Sequence, residues 1–422
     1  MTLRICIDAR LGDGSAGGCQ QFLIGLASGL SKLDRGEEEY VFLTLDGSGD
    51  WLTPYLTGPC VAAPVSIPTV PPQRAWRSAM REMAPQRVRS LVQRGRELKA
   101  FLKPVRIPDV DPEIERLEPA VVHFAHQEAS RTARANIYHP HDLQHLHLPE
   151  YFTPAVRKRR EALYRFFCAQ ATIIAVASSW TKNDLIKQYH LASEKIAVVP
   201  LAPVLEFYPK PTSSDLEQVR HRLSLPEAFA FYPAQTWPHK NHLGFLRALR
   251  LIRDGSNKTI PVVFSGLKNT FSAQIEDESR RLGLDDVVKL VGFVSPIELR
   301  ALYELSRCVI IPSKFEAASF PLWEAFTAEV ATGVSNVTSL PKQAGDGALI
   351  FDPDDPCQIA SVLLRLWDNP SLRSDLIARG RQMVGLFRWE NTARLFRAHY
   401  RRLAGRSLND SDRDLLAATP IL

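Results

Sequence analysis

The sequence predicts an α/β protein built from two doubly wound domains. Apolar segments of strand length alternate with segments of helix length, and this alternation runs through the chain twice. The chain has 422 residues, which is long for one typical domain and sufficient for two. The segment 200–214 between the two runs is rich in Pro and Ser, which favours a linker.

The first run of strands and helices predicts an N-terminal domain over 1–205. It opens with LRICIDA, typical of a strand, and the glycine-rich GDGSAGG (12–18) then leads into a helical pattern. Ser178 or Ser179 is the expected N-cap of a later helix. The other elements expected here are strands at 40–45, 119–125 and 171–178 and a helix at 154–169.

The second run predicts a C-terminal domain over 206–386. The expected strands are AFAFYPA, IPVVFSG, VVKLVGFV and CVIIPS, and the expected helices start near 241, 272, 296 and 322. An amphipathic pattern at 387–405 predicts a last helix that returns to the N-terminal domain. The polar tail 406–422 is expected to be loose.

Composition is that of a soluble globular protein, with 45% hydrophobic and 23% charged residues. The six cysteines form no CxxC pair, and Arg4 and Asp8 interrupt the first apolar run, so no secretory leader is expected. These features favour reduced thiols and a cytoplasmic protein. No window reaches the length of a transmembrane helix, so any membrane role is expected to be peripheral.

Much of the net charge of +6 lies in a basic insertion at 74–106, where Glu82 and Glu97 face many arginines and lysines. Interspersed apolar residues there are typical of a basic helix lying on an anionic membrane, here the inner face of the cytoplasmic membrane. The alternative is a solvated helical insertion that covers the N-terminal domain, and Pro85 breaks any single long helix. Nucleic-acid binding is not expected, because few aromatic residues are available to stack on bases.

Two glutamates in PSKFEAASFPLWEAF (312–326) are the most informative residues of the chain. Glu316 falls on the loop between a buried strand and a helix, and Glu324 falls one to two turns into that helix. Ligands of open α/β sheets bind beyond the carboxyl ends of the strands, where a helix start also offers N–H groups to an anion. The pair could hold hydroxyls of a sugar and a ribose while backbone amides hold phosphates.

Four stretches of the sequence resemble a known family. They are FYPAQTWPHKNHLGFLRAL (231–249), KFEAASFPLWEAF (314–326), SNVTSLPKQAGDGALIFDPDD (335–355) and HDLQHLHLPEYF (141–152). With them the chain resembles the retaining, nucleotide-sugar-dependent glycosyltransferases of family 4, polysaccharide mannosyltransferases among them. The resemblance implies the GT-B fold, in which two Rossmann-like domains face each other across a cleft.

The resemblance also implies roles for individual residues. Lys240 matches the lysine that neutralises the donor diphosphate, Glu316 the carboxylate on the sugar hydroxyls, and His141 a histidine that faces the sugar across the cleft. These three are the expected catalytic residues. In the remaining donor site, Glu324 is expected to hold the ribose, the amides of Ser319 and Phe320 to meet phosphate or sugar, and the glycine loop to approach the phosphates. The full expected donor set is Glu324, Gly17, Gly18, Gln235, Ser319, Phe320, Gly266 and Val294.

The sequence departs from the family pattern at several positions. Gln235 stands five residues before Lys240, where many relatives place an arginine on the diphosphate. Glu329 stands where relatives have a glycine at a helix end, so an easy left-handed position is lost. Lys342 occupies a usually acidic place. These changes motivate one alternative, a degenerate relative that binds a sugar nucleotide without transfer. A nucleotide-sugar epimerase is another.

Taken together, the resemblance implies transfer of a hexose from a nucleotide diphosphate sugar, preferably mannose from GDP-mannose. The implied acceptor is a saccharide or lipid-linked glycan in surface polysaccharide or lipopolysaccharide synthesis. No cofactor or metal is expected. The histidine-rich run YHPHDLQHLHLPE suggests a metal site as an alternative, but Pro140 and Pro149 disrupt the helix that would bring its histidines together.

Overall fold

The structure is a computed structural model that describes residues 2–12, 17–34, 36–66, 95, 97, 99–256 and 258–422. Its N-terminal half contains a seven-stranded parallel sheet. Strands β1 to β7 are Leu3–Asp8, Glu38–Leu45, Cys60–Val65, Val121–Phe124, Ala135–Tyr138, Ile173–Val176 and Ile196–Val198. Among the described residues, the helices of this half include Gly18–Ser31, Pro112–Arg116, Gln144–His147, Pro154–Gln170 and Ser179–Tyr189.

The C-terminal half contains a six-stranded parallel sheet. Strands β8 to β13 are Ala230–Pro233, Val262–Ser265, Val288–Gly292, Cys308–Ile311, Thr332–Ser335 and Ala348–Phe351. Its helices are Ser213–Arg222, His242–Ser256, Ser272–Arg281, Pro296–Leu305, Phe320–Thr327, Leu340–Ala344, Pro356–Asp368 and Pro370–Val384. The helices Trp389–Leu403 and Asp410–Ala417 follow.

Strand order explains why the functional loops meet. The sheets run β3-β2-β1-β4-β5-β6-β7 and β10-β9-β8-β11-β12-β13, so the order reverses beside β1 and beside β8. Connections on the two sides of such a reversal lie on opposite faces of the sheet and leave a crevice at its carboxyl edge. The loop after β8 carries Lys240 and the loop after β11 carries Glu316, so adjacent strands deliver both residues to one crevice. The predicted fold of two doubly wound domains is confirmed.

The last long helix, Trp389–Leu403, packs against the first helix, Gly18–Ser31. Glycines make the close approach possible, because a Cβ at Gly25 would come within 1.9 Å of the Trp389 ring. Trp389 Nε1 also donates to the Pro203 carbonyl at 2.9 Å. The segment 200–214 is therefore held by this helix where it passes between the sheets. The exact domain boundaries at 205/206 and 386/387 stay predictions.

The prediction of a loose tail at 406–422 was wrong. Asn409 and Asp412 form a capping box that starts the helix Asp410–Ala417. The buried Asp412 also pairs with Arg401, with 2.8 Å between its Oδ2 and Nη1. The final residue, Leu422, is buried, and its carbonyl accepts from the Ser179 amide at 3.0 Å. A polar local composition does not reveal these partners, because they lie elsewhere in the chain.

Most of the basic insertion at 74–106 lies outside the described residues, so the expectation of a membrane contact there is not tested. Within the described ranges, no helix combines the length and the apolar character that crossing a bilayer requires.

Candidate active site

A cleft of about 1620 Å³ lies between the two halves, at the carboxyl edges of both sheets. Residues after β1 and β4 line one side, and residues after β8, β9, β10 and β11 line the other. The structure thus brings most of the predicted site residues to one cavity. Those that line it are Glu316, Lys240, Glu324, Gly17, Gly18, Gln235, Phe320, Gly266 and Val294.

Lys240 and Glu316 form a protected ion pair on the C-terminal wall of the cleft. Lys240 ends the short 3-10 turn Pro238–Lys240, and its Nζ lies 2.5 Å from Glu316 Oε1. Ser313 Oγ donates to the same oxygen at 2.7 Å. The two charged side chains are only 19% and 7% exposed, so solvent screens their interaction weakly. This pair places one ammonium group and one fixed carboxylate side by side.

The loop that carries Glu316 is clamped through its backbone. The Glu316 amide donates to Thr338 Oγ1 at 3.2 Å, and its carbonyl accepts from Ser339 Oγ at 2.9 Å. The Ser319 amide donates to Gln343 Oε1 at 2.9 Å. Ser319 is fully buried and does not line the cleft, because Gln343 holds its amide inside the loop. The expectation that this amide meets phosphate or sugar is therefore not met in this structure.

Glu324 lies in the helix Phe320–Thr327 and is 1% exposed. Burial raises the pKa of its carboxyl to about 7, although hydrogen bonds from Tyr303 and Gln21 favour the ionised form. The Tyr303 hydroxyl donates to Oε2 at 2.8 Å and Gln21 Nε2 donates to Oε1 at 2.6 Å. Gln21 belongs to the first helix of the N-terminal half, so its hydrogen bond joins the two halves across the cleft.

The glycine loop of the N-terminal half faces these residues closely. Gly17 has a φ of 46°, a conformation that side-chain-bearing residues rarely adopt. A Cβ at Gly17 would lie 3.5 Å from Gln235 Nε2, and a Cβ at Gly18 would lie 3.6 Å from the Phe320 ring. Both glycines therefore border the narrow gap between the halves.

His141 does not line the cleft. Its Nε2 lies 3.1 Å from the Ala125 carbonyl oxygen, and its ring packs near Phe22. Burial opposes the charged imidazole, but Cys19 and other neighbours outweigh it and raise the pKa of His141 above its ordinary value. The ring thus packs against the first helix, Gly18–Ser31, in this structure, and its catalytic role stays a prediction.

The other histidines of the run find separate partners. His145 Nε2 lies 3.0 Å from Glu161 Oε2, and His147 Nε2 lies 2.8 Å from Asp184 Oδ2. Across the part of the chain that the structure describes, no group of three or more His, Cys, Asp or Glu side chains is arranged to hold a metal ion.

Several cleft residues were missed from the sequence. On the N-terminal side, Arg10 donates to both oxygens of Asp8, at 2.8 Å and 2.7 Å, and to Asp111 at 2.6 Å. Burial opposes ionisation of Asp8, but the hydrogen bonds from Arg10 hold the pKa of Asp8 well below its usual range. Asp8 closes β1, so its place at a carboxyl strand end was a usable signal. Nothing local in the sequence marks Tyr303 or Ser313 as partners of the glutamates.

Two family models together match nearly all of the two-sheet structure. Residues 16–202 match the family described as "Glycosyltransferase Family 4", and residues 214–383 match the one described as "Glycosyl transferases group 1". Each half of the chain thus matches a glycosyltransferase family model, and the two matches together identify a family 4-like glycosyltransferase of the GT-B type. The two matches fall on the two sheets that border the cleft.

Curated relatives of this chain include proteins named for mannose transfer. O-antigen chain mannosyltransferase B of Escherichia coli is 27% identical over 60% of this chain and 66% of its own length. O-antigen chain mannosyltransferase RfbU of Salmonella typhimurium is 24% identical over 60% of this chain and 65% of its own length. The match thus spans slightly less than two thirds of the length of these relatives.

Solved structures share the fold of this chain at low sequence identity. Sucrose-phosphate synthase from Thermosynechococcus elongatus superposes with a TM-score of 0.70 at 17% identity, over 96% of this chain and 100% of the other. Alr3699/HepE of Anabaena, in complex with UDP-glucose, gives a TM-score of 0.64 at 14% identity, over 96% and 98%. These likenesses support the GT-B arrangement of two Rossmann-like domains facing across a cleft.

Proposed function

We propose that the protein is a retaining glycosyltransferase that moves a hexose, preferably mannose from GDP-mannose, onto a saccharide or lipid-linked glycan. The proposed pathway is surface polysaccharide synthesis of the O-antigen or lipopolysaccharide type. Family membership and the names of the mannosyltransferase relatives support the reaction and the sugar. The proposal includes no metal and no further cofactor.

The observation that carries this proposal is the Lys240–Glu316 pair on the wall of the cleft. As a glycosyl donor reacts, negative charge grows on the departing diphosphate and positive charge grows at the sugar. The Lys240 ammonium stabilises the first charge, and Glu316 orients the sugar through its hydroxyls. Among the described residues, Oε2 of Glu316 accepts no hydrogen bond from the protein and is available to such a hydroxyl.

In this proposal the configuration at the reacting sugar carbon is retained, because the acceptor hydroxyl attacks the same face that the diphosphate leaves. Retaining glycosidases place a nucleophilic carboxylate close to the reacting carbon. Here Lys240 and Ser313 both bind Oε1 of Glu316, which suits an orienting carboxylate better than an attacking one. The departing phosphate then takes the proton of the acceptor hydroxyl, so the step needs no protein base.

A donor screen tests the proposed function. The protein is incubated with GDP-mannose, UDP-glucose and UDP-GlcNAc, and the products are separated by chromatography. We expect slow release of GDP from GDP-mannose. A new sugar isomer would instead indicate an epimerase, and saturable binding without turnover would indicate the degenerate relative. Turnover of a UDP-sugar alone would overturn the choice of mannose while retaining the transferase.

We propose that a basic surface beside the cleft brings the enzyme to the inner face of the cytoplasmic membrane, where a lipid-linked acceptor resides. Arg157 is exposed on the helix Pro154–Gln170, and Arg159 is exposed but pairs with Glu128 at 2.9 Å. Lys158 between them donates to the Phe101 and Lys103 carbonyls at 2.7 Å and 3.1 Å. Each cation near anionic lipid adds about 1 kcal/mol.

Sedimentation with vesicles tests this membrane contact. We expect binding to phosphatidylglycerol vesicles but not to phosphatidylcholine vesicles, and weaker binding after Arg157→Glu. Arg379→Glu, an exposed position on the helix Pro370–Val384 of the C-terminal half, serves as the control. Equal binding to both vesicle types, or none to either, would contradict the proposal.

A further inference from the structure

Gln235 and Trp237 form a hydrogen-bonded pair on the cleft wall, two and four residues beyond the end of β8. Trp237 Nε1 donates to Gln235 Oε1 at 2.7 Å. An indole N–H can only donate, so the side-chain atom of Gln235 that faces it must be the oxygen. The indole therefore fixes which way round the Gln235 amide points.

The opposite end of this amide faces the gap between the halves. A Cβ on Gly17 would lie 3.5 Å from Gln235 Nε2, so the amide nitrogen borders the glycine loop. Among the described residues, Nε2 donates no hydrogen bond. The N–H groups of Nε2 are thus available at the same cavity that Lys240 lines.

Trp237 is unusual for a side chain that serves only packing. It is 48% exposed and lines the cleft, whereas most large aromatic rings of this half are buried. Its backbone is fixed as well, because Pro238 follows it and its own amide donates to the Gln235 carbonyl at 2.7 Å. The indole is therefore held at one orientation while one face stays open to the cleft.

We infer that Gln235 Nε2 donates to the donor diphosphate and that Trp237 is the positioning residue that keeps this nitrogen, rather than the amide oxygen, turned toward the phosphate. A flipped amide would instead present oxygen lone pairs to an anion. The inference rests on the proposed function, because it needs a diphosphate beside Lys240. On this inference, Lys240 and the oriented neutral amide of Gln235 together bind the diphosphate.

Binding of nucleotides tests this inference independently of turnover. Calorimetry with GDP and GMP separates contacts to the terminal phosphate from contacts to the rest of the nucleotide. Trp237→Phe retains a ring but removes the N–H, so we expect about tenfold weaker GDP binding with GMP binding nearly unchanged. Trp367→Phe, in a helix far from the cleft, is the matched control and should change neither.

A double variant separates orientation from packing. Arginine has only donors, so a guanidinium cannot present the wrong atom to a phosphate. We expect Gln235→Arg to bind GDP at least as well as the natural protein, and Trp237→Phe to have little further effect in that background. Gln235→Glu, which puts an oxygen on both sides, should weaken GDP binding more than Trp237→Phe does.

Three outcomes would overturn the inference. Trp237→Phe could weaken the binding of GDP and GMP equally, or it could leave GDP binding unchanged. It could also weaken GDP binding as much in the Gln235→Arg background as it does alone. Thermal melting identifies any variant that has lost its fold. If Trp237→Phe has done so, GDP binding by Gln235→Glu tests the inference instead. If the natural protein binds none of GDP, UDP or their sugar conjugates, the proposed function fails together with this inference. Normal binding with an unchanged GDP-to-GMP ratio in Trp237→Phe refutes the inference alone.

Discussion

At the scale of single residues, the two glutamates of the cleft have different electrostatic surroundings. Glu316 has an ammonium group as its immediate partner, whereas Glu324 has only the neutral donors Tyr303 and Gln21. A buried carboxyl without a cation binds its proton more tightly. Glu324 therefore changes its charge near neutral pH.

The ionisation of Glu324 predicts pH-dependent donor binding. Its folded-state pKa is raised to about 7 from an ordinary 4.5, so the carboxylate forms as pH rises through about 7. A carboxylate accepts stronger hydrogen bonds from ribose hydroxyls than a carboxylic acid does. We expect GDP-mannose, whose diphosphate stays ionised in this range, to bind more tightly at pH 8 than at pH 6, as measured by calorimetry.

Glu324→Gln is the control for this titration, since the amide has a similar shape and no proton to lose. Its affinity for GDP-mannose should be weaker at pH 8 and nearly flat between pH 6 and 8. An equally steep pH dependence in the variant would assign the effect to another group.

We predict that Glu316→Gln loses transfer activity but keeps the fold. The amide keeps the volume, but it removes the charge that pairs with Lys240 and replaces one acceptor with a donor. We expect transfer to fall by roughly 100-fold, in the range seen when one oriented electrostatic contact is removed. Steady-state transfer rates and thermal melting are the measurements. Glu304→Gln, on the helix Pro296–Leu305, is a matched control. A fully active variant would refute the assignment.

At the scale of elements, the helix Phe320–Thr327 is followed by a residue that the usual preference for glycine at helix ends disfavours. Glu329 follows the helix Phe320–Thr327 with a φ of 57°, the left-handed conformation that the family pattern assigns to a glycine. Its side chain lies 3.4 Å from Arg381, but both groups are largely exposed, so the ion pair contributes little. The helix thus ends where expected, on a residue that has a Cβ.

Glu329→Gly should therefore stabilise the protein. A left-handed residue with a Cβ costs about 1 kcal/mol relative to glycine, so the free energy of unfolding should rise by about that amount. Urea denaturation measures the change. Glu329→Ala removes the same charge but keeps the Cβ, and it should give no comparable gain. If the alanine variant is as stable as the glycine variant, backbone strain is not the cause.

At the scale of the whole molecule, buried histidines link the N-terminal half to the last helix. His123 lies between Tyr400, at 2.6 Å, and His139, at 2.8 Å, so it ties the helix Trp389–Leu403 to the N-terminal sheet. Burial lowers the pKa of His123 to about 3 and that of His399 to about 3. In the C-terminal half, burial likewise lowers the pKa of His242 to about 3. These rings stay neutral in the folded protein at neutral pH.

Their neutrality predicts loss of stability in acid. Below the ordinary value of 6.5 the unfolded chain binds protons that the folded chain does not, so the free energy of unfolding falls as pH drops from 6.5 toward 3. Each such histidine contributes a slope of up to about 1.4 kcal/mol per pH unit. Urea denaturation between pH 7 and pH 4.5 measures the total slope.

His242→Leu isolates one contribution to this slope. Both ring nitrogens of His242 are buried without a hydrogen-bond partner among the described residues, so leucine removes a titrating group without breaking a hydrogen bond. The slope should decrease by up to about 1.4 kcal/mol per pH unit. Phe245→Leu, a core substitution on the same helix that removes no titrating group, should leave the slope unchanged. An unaltered slope in His242→Leu would contradict the prediction.

Several strands could not be predicted from their own residues. The sequence indicates β1, β2, β4 and β6 in the first sheet through apolar runs. In contrast, β12 contains Gly333 and β3 contains Pro64, which argue against a strand locally. Pro64 is tolerated because β3 is the edge strand. Gly333 is required because a Cβ there would come within 2.6 Å of Val362.

The sequence alone predicted the fold class and the joint site of Glu316 and Glu324, and its resemblance to a known family added Lys240 to that site. Strand and helix periodicity are local properties, and in a parallel sheet they place successive loops at the same edge. Tertiary structure alone decided that Gln21 binds Glu324, that His141 packs against Phe22 of the first helix, and that the tail is ordered. Gln21 and Glu324 are 303 residues apart, and such pairings depend on how whole elements pack, which no local pattern encodes.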